Sequence, residues 1–396
     1  MYFEHDALFS RLGWDTASFA MQHPSNEPSR WDKFFVDEIQ YGHSYGMARK
    51  LCSAVKIVYS AEARKKLSAL LDIFSPDVAH AHNLYHHISP SVLPLLKSRG
   101  IPVVMTAHDL KLACPAHTML NDTGICERCK GGNFLHTVRH RCVHGSISVS
   151  GLVAVESAIH KATGIYANNL DRIIAPSRFY LEKFVEWGWP REQLAYIPNY
   201  VDPIRFEPTF RPGDYFVYFG RLSAEKGLRT LLSAAESGSF KLVLMGDGEL
   251  KPEILAAVER SRSICYLGRR TGAELCEIVA GARATILPSE WYENAPLSIL
   301  ESYCLGKPVI GARIGGIPEL IMDGDTGWLF EAGSSESLVE SMRRVQNMAD
   351  SDVAEIGRRA RDFSDSHFTP ARYVDDMLAL YSSIGVSLKS HKDASV

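Results

Sequence analysis

Short runs rich in β-branched and aromatic residues recur along the whole chain, each stopping at a polar or glycine-bearing turn and followed by helical periodicity. In the first half they are "DTASFAM" (15–21), "DVAHAH" (77–82), "IPVVMTAHD" (101–109), "RIIAPS" (172–177) and "LAYIPN" (194–199). In the second half they are "YFVYFGR" (215–221), "FKLVLMG" (240–246), "ICYLG" (264–268), "ATILPS" (284–289) and "PVIGA" (308–312). Several lack polar–apolar alternation, as strands do when a parallel sheet is covered by helices on both faces. Strand–helix alternation of this kind confines the chain to the α/β class. At 396 residues and 46 % hydrophobic, it is long enough for two domains with a core each. The break falls in "VDPIRFEPTFRPGDYF" (201–216), where three prolines and a glycine interrupt the periodicity.

The expected organisation is therefore two Rossmann-like, doubly wound domains, 1–205 and 206–365. Residues 366–396 hold a helical segment, "YVDDMLALYSSI" (373–384), expected to cross back to the first domain, and a frayed tail from 386. Ligands of open α/β sheets lie outside the carboxyl ends of the strands, so two such domains facing each other make a cleft. The first domain has an unusual opening. Residues 2–12 read as the end of a helix that closes at Gly13, so the first strand and its glycine-rich turn read as missing: either the true start lies upstream of Met1, or this domain lacks a central strand.

A net charge of −3 and a pI near 6.6 give no footprint for nucleic acid. The basic run Arg64-Lys65-Lys66 reads as a solvated helix face. No apolar stretch approaches the ~18–20 residues that span a bilayer, and the opening residues do not form a secretory signal, which points to the cytoplasm.

Chemistry is expected at strand ends. The run 215–221 leads into "GRLSAEKG" (220–227), which delivers Arg221 and Lys226 just before a helix. Arg supplies a rigid fork of donors and Lys a point charge, a pair suited to a diphosphate; two surface cations at a helix start is the plainer alternative. The run 284–289 leads into "SEWYENAPLSILESYCLG", where Pro296 is placed to be the first helical residue. The helix N-terminus behind it is a ready anion site. Glu293 lies on the loop before that helix and Glu301 inside it, so the two carboxylates reach different hydroxyls of one ligand. A third turn, "GARIGGIPELI" (311–321), has Gly315-Gly316 for close backbone approach and Pro318 opening a helix, and could face the same phosphates. "DGDTG" (323–327) reads as a turn before a short strand rather than a metal-binding DxD.

Gly220-Arg221 with Glu225-Lys226-Gly227, the E-x7-E pair Glu293 and Glu301, and the "GGIPELI-DG-TGWLF" run through Phe330 together resemble family 4 glycosyltransferases of the two-domain GT-B fold. The resemblance implies a retaining transfer from a nucleotide-diphosphate sugar to a hydroxyl acceptor, a glycan or lipid-linked molecule, with no metal required for catalysis. It implies that Arg221 and Lys226 bind the diphosphate, Glu293 the donor hexose and Glu301 the ribose. Asn294, Ala295, Pro296 and Leu297 would bring backbone groups to the hexose and phosphate. His108, ending "VVMTAHD", would be the acceptor-side catalytic residue. A lipid-linked acceptor adds peripheral contact with the inner face of the membrane to the expectations. The missing Gly-Gly loop keeps two alternatives open, a non-catalytic nucleotide-sugar-binding scaffold and a GT-B-type nucleotide-sugar epimerase.

Half of the eight cysteines fall in one insertion, "CPAHTMLNDTGICERCKGGNFLHTVRHRC" (114–142). Cys126 and Cys129 have knuckle spacing, and with Cys114 and Cys142 they could close a structural zinc site, His140 and His144 being substitutes. Reduced surface thiols or a redox pair are the alternatives. Following His108-Asp109, the insertion is expected to border the acceptor side of the cleft.

Overall fold

The computed structural model describes residues 1–38 and 54–387, so the tail expected from 386 lies outside them beyond its first two residues. In chain order the first half gives β1 (Ala79–His82), β2 (Val103–Thr106), a short antiparallel hairpin of β3 (Leu120–Asn121) and β4 (Gly124–Ile125), then β5 (Arg172–Ala175) and β6 (Leu194–Tyr196). β1, β2, β5 and β6 form a parallel sheet in that order. Successive residues of a strand point to opposite faces, and here both faces are covered. Val103 and Met105 of β2 pack into the core closed by helices Ala61–Leu71 and Val92–Ser98, while Val104 packs into the layer behind.

That second layer is built from both ends of the described chain. Leu8 and Phe9 of helix Tyr2–Arg11 pack with Tyr373, Met377 and Tyr381 of helix Pro370–Ser383 on Val104 and Ile174. The last helix therefore rests on the first sheet although it follows the second domain in sequence. It gets there beside the outgoing linker: Val201 N donates to Phe368 O at 3.1 Å, and Arg361 donates to Pro203 O at 3.4 Å.

The expected strand 15–21 is not part of this sheet. Ala17, Phe19 and Met21 do alternate onto the first core, yet among the described residues the segment's ladder contact is a single parallel bridge between Met21 and Val36. Alternation reports a buried face; a strand also needs a neighbour to pair with, and 35–36 offers it one residue's length.

The second domain holds β7 (Phe216–Phe219), β8 (Leu242–Met245), β9 (Ile264–Gly268), β10 (Ala284–Leu287), β11 (Val309–Ala312) and β12 (Gly327–Phe330). All are parallel, in the order β12-β11-β10-β7-β8-β9. The chain winds outward from β7 to β9, then restarts on the other side of β7 and winds outward to β12. This is the Rossmann order, and its reversal between β7 and β10 opens the crevice in which such sheets bind ligands. The described strands of the first sheet run in sequence order with no reversal. "DGDTG" is a turn into β12: Gly324 N donates to Gly327 O at 2.8 Å, Asp323 Oδ1 accepts from Leu329 N at 2.9 Å, and Asp325 pairs with Arg359 at 2.6 Å. Among the described residues no helix is long and apolar enough to cross a membrane.

Candidate functional site

The loops after β7 and β10 meet at the strand-order reversal. After β7 the chain passes Gly220-Arg221 into a 3-10 turn, Ala224–Lys226, that ends at Gly227 with φ 69°. A Cβ at Gly227 would stand 1.8 Å from Pro288 O, so glycine is what lets this turn lie against the end of β10. Glu290 N donates to Glu225 O at 2.9 Å and fixes the contact.

Seated this way, Lys226 Nζ donates to Glu293 Oε1 at 2.6 Å, and Ser289 Oγ donates to the same oxygen at 2.6 Å. Glu293 is 5 % exposed, and the Lys226 ammonium also lies over the Trp291 ring at 5.2 Å. Arg221 turns outward instead. Its side chain is 59 % exposed and pairs with Glu225 at 3.0 Å, so the two cations expected together are split between an inner and an outer position.

The next helix, Leu297–Cys304, starts one residue later than expected, because Pro296 is extended (ψ 118°) and serves as the N-cap. Ala295 is buried beneath the loop. Leu297 and Ser298 bring the positive end of the helix to the crevice. One turn further in sits Glu301, whose carboxyl is pushed above the usual range by burial. The Gly315-Gly316 turn after β11 makes its close approach to this loop rather than standing clear of it. A Cβ at Gly316 would lie 1.9 Å from Asn294 O, and Gly316 N donates to Glu293 O at 2.8 Å. The turn therefore props the loop that carries Glu293.

Asn294 joins the two halves. Its Nδ2 donates to Ala107 O at 3.0 Å, at the carboxyl end of β2, and its Oδ1 accepts from Ser177 Oγ at 2.9 Å. Asn199 Nδ2 donates to Ala295 O at 3.0 Å. Glu319 of the second domain caps helix Arg178–Glu186 of the first, accepting from Arg178 N at 2.8 Å and Phe179 N at 2.5 Å. The insertion touches the cleft as well, where Tyr292 OH donates to Glu127 and Lys183 pairs with the same carboxylate at 2.7 Å.

His108 follows Ala107 and is hydrogen-bonded through Nε2 to His82 Nδ1 at 2.8 Å, with the rings stacked at 5.1 Å. His82 in turn stacks on His80 at 4.5 Å, and His80 bonds Thr106 and Tyr381 at 2.7 and 2.8 Å. Burial drives the imidazoles toward the neutral form: His108 is lowered to about 4, and His82 to about 3, where the neighbouring His108 adds to the effect. His108 is thus a neutral hydrogen-bonding group at pH 7.

The zinc ligand set expected of Cys114, Cys126, Cys129 and Cys142 is not assembled. Among the described residues no group of three or more His, Cys, Asp or Glu side chains is placed to hold a metal ion. All four are free thiols. Cys114 packs against the first core, and burial pushes its thiol up to about 12. Cys129 Sγ lies 3.5 Å from Thr137 Oγ1.

Ser289, Ser177, Glu319 and His82 escaped the sequence reading. For His82 a signal existed: "AHAH" puts two histidines on one face of a four-residue strand. For the others the partner lies more than a hundred residues away or is one small hydroxyl among many.

Residues 9–205 match the family model described as Glycosyltransferase Family 4, and residues 202–363 match that described as Glycosyl transferases group 1. The sulfoquinovosyl transferase SQD2 of Arabidopsis thaliana is 25 % identical over 337 residues, 79 % of this chain and 58 % of the relative. A GDP-mannose-dependent alpha-mannosyltransferase of Mycobacterium tuberculosis is 32 % identical over 177 residues, 42 % of this chain and 45 % of the relative. The chain spans a little over half the length of the first curated relatives it matches. Among solved structures, sucrose-phosphate synthase from Thermosynechococcus elongatus superposes with a TM-score of 0.69 at 18 % identity, covering 95 % of this chain and 90 % of the other. Anabaena HepE in complex with UDP-glucose gives 0.60 at 19 % identity, covering 81 % and 82 %. With two parallel α/β domains meeting at their strand ends and the two family matches together reaching from residue 9 to 363, the chain belongs to the GT-B glycosyltransferases, family 4 in its first half and group 1 in its second.

Proposed function

We propose that this protein transfers a sugar, with retention, from a nucleotide-diphosphate donor in the β7–β10 crevice to a hydroxyl of a glycan or lipid-linked acceptor at the first domain. The observation that carries the reading is the convergence of Lys226, Glu293 and the Leu297 helix N-terminus at the strand-order reversal, with Asn294 tying that loop to the residue before His108. Both bonds to Glu293 go to Oε1, so its Oε2 is the atom assigned to a donor hexose hydroxyl. Glu301, one turn deeper, is assigned to the ribose. When the glycosidic bond breaks, negative charge grows on the departing diphosphate; Lys226 and the helix N-terminus are preorganised to meet it, and Arg221 joins them by swinging in from its outward position. Arg221 is free to move there because an exposed ion pair such as Arg221–Glu225 holds it by ~1 kcal/mol or less. His108, neutral and held by His82, is assigned to hydrogen bonding on the sugar side, where the departing phosphate takes the acceptor proton. UDP-glucose bound to the structurally similar Anabaena protein supports the donor class.

The test is thermal unfolding of the chain against UDP-, GDP-, ADP- and TDP-sugars, with Glu301→Ala beside it. A ligand at 100 times its Kd adds about 2.7 kcal/mol to the folded state. The expected result is a shift with one nucleotide family that the variant loses; no shift with any donor refutes the reading. Product formation only when an acceptor hydroxyl is supplied then separates transfer from epimerisation and from a scaffold.

A further inference from the structure

Large apolar side chains exposed to solvent gather on one helix of the first domain. In helix Ile147–Thr163, Ile147 and Val155 are each 54 % exposed and Ile159 is 41 % exposed. With Gly151 and Ala162 they recur every three or four residues, which makes one apolar stripe about 22 Å long. Helix Leu135–Arg139 packs beside it and leaves Leu135 75 % exposed. A helix face turned to water is ordinarily polar, and a contiguous apolar one marks a surface that is covered in use.

The charge around the stripe identifies the cover. From Arg128 to Lys161 the chain carries Arg128, Lys130, Arg139, Arg141 and Lys161, all exposed, against a single carboxylate, Glu156; Lys130 is paired with Glu186 from a neighbouring helix at 3.6 Å, which leaves four cations for a partner. Glu156 is fully buried and neutralised by Lys111 at 2.9 Å. The cations reach both ends of the stripe: Lys161 lies over the Phe134 ring at 5.8 Å near its end, and Arg139 and Arg141 precede its start. A protein with a net charge of −3 has thus gathered positive charge at this apolar helix face. Symmetric pairing of two copies would set these cations against one another, whereas an anionic lipid surface complements them and accepts the apolar stripe.

We propose that the face made by helices Leu135–Arg139 and Ile147–Thr163 docks on an anionic membrane surface. Through Glu127 and Tyr292 the same insertion reaches the cleft, so docking there holds the acceptor side at the lipid plane. The surface lies apart from the donor crevice and is tested without a donor.

The experiment is co-sedimentation of the full chain with phosphatidylcholine vesicles, with and without roughly 30 % phosphatidylglycerol, at low and high salt. Binding is expected only with the anionic lipid and is expected to fall as salt rises. Val155→Gln with Ile159→Gln should weaken the partition about tenfold, since two aliphatic side chains no longer enter the interface. Arg139→Glu with Arg141→Glu should abolish the preference for anionic lipid. All four positions are exposed, so both variants should keep the parent unfolding midpoint; if one does not, the other decides. Equal binding to both vesicle types, or wild-type binding by a folded variant, overturns the proposal. Self-association in sedimentation velocity that the apolar variant loses would assign the face to a second copy and overturn it too.

Discussion

Lys226→Met removes one partner of the ion pair at the centre of the site and leaves the other where it is. Glu293 would keep a carboxylate 5 % exposed, with Ser289 as its remaining donor. Taking one member from a buried pair costs about 3–5 kcal/mol, because the charge left behind is neither solvated nor paired. Lys226 is 17 % exposed, so water reaches this pair and the cost falls at the lower end, about 3 kcal/mol. For a domain the size of 202–363, that corresponds to a transition roughly 6–12 °C lower. Differential scanning calorimetry of the parent, Lys226→Met, Glu293→Gln and the double variant measures it. The double variant should be less destabilised than the sum of the singles by about 1–3 kcal/mol, since it removes the stranded charge. Strict additivity, or a Lys226→Met protein within about 0.5 kcal/mol of the parent, would refute the view that the pair is buried and coupled.

Three further outcomes are expected. Asn294→Ala loses two hydrogen bonds between the domains, worth about 1–3 kcal/mol together, and should separate one calorimetric transition into two. Acidification should weaken the first domain. His108 and His82 titrate at about 4 and about 3 when folded and near 6.5 when unfolded, so the unfolded chain binds more protons below pH 6.5 and stability falls as pH drops from there toward 4. The urea midpoint against pH reads this, and His108→Asn should flatten the slope. Arg221→Ala should lower kcat by at least tenfold with KM nearly unchanged if the guanidinium engages the diphosphate mainly as charge develops; a change in KM alone would show that it holds donor and transition state equally.

The segments of the proposed donor crevice were legible because they are local in sequence. Strand ends, the turn through Gly227 and the two carboxylates on either side of a proline-started helix all lie within short stretches whose geometry follows from backbone rules. Two readings depended on contacts that sequence does not report. The segment 15–21 showed the alternation of a strand, but pairing depends on a neighbour that alternation does not report. The cysteine spacing suggested a ligand set, but whether four sulfurs converge depends on how the insertion folds over the first core, and Cys114 is held by that core.

By itself the sequence determined the parallel α/β class and the motif positions of Lys226, Glu293 and Glu301, because each is set by periodicity or by residues a few positions apart. Tertiary structure alone decided that Arg221 faces outward while Lys226 faces in, that Gly316 props the Glu293 loop, that Asn294 ties it to Ala107, and that His82 holds His108. It also decided that the outer face of helix Ile147–Thr163 is apolar and basic-rimmed. These are contacts between segments far apart in the chain, and their partners are chosen by packing, which no short window of sequence contains.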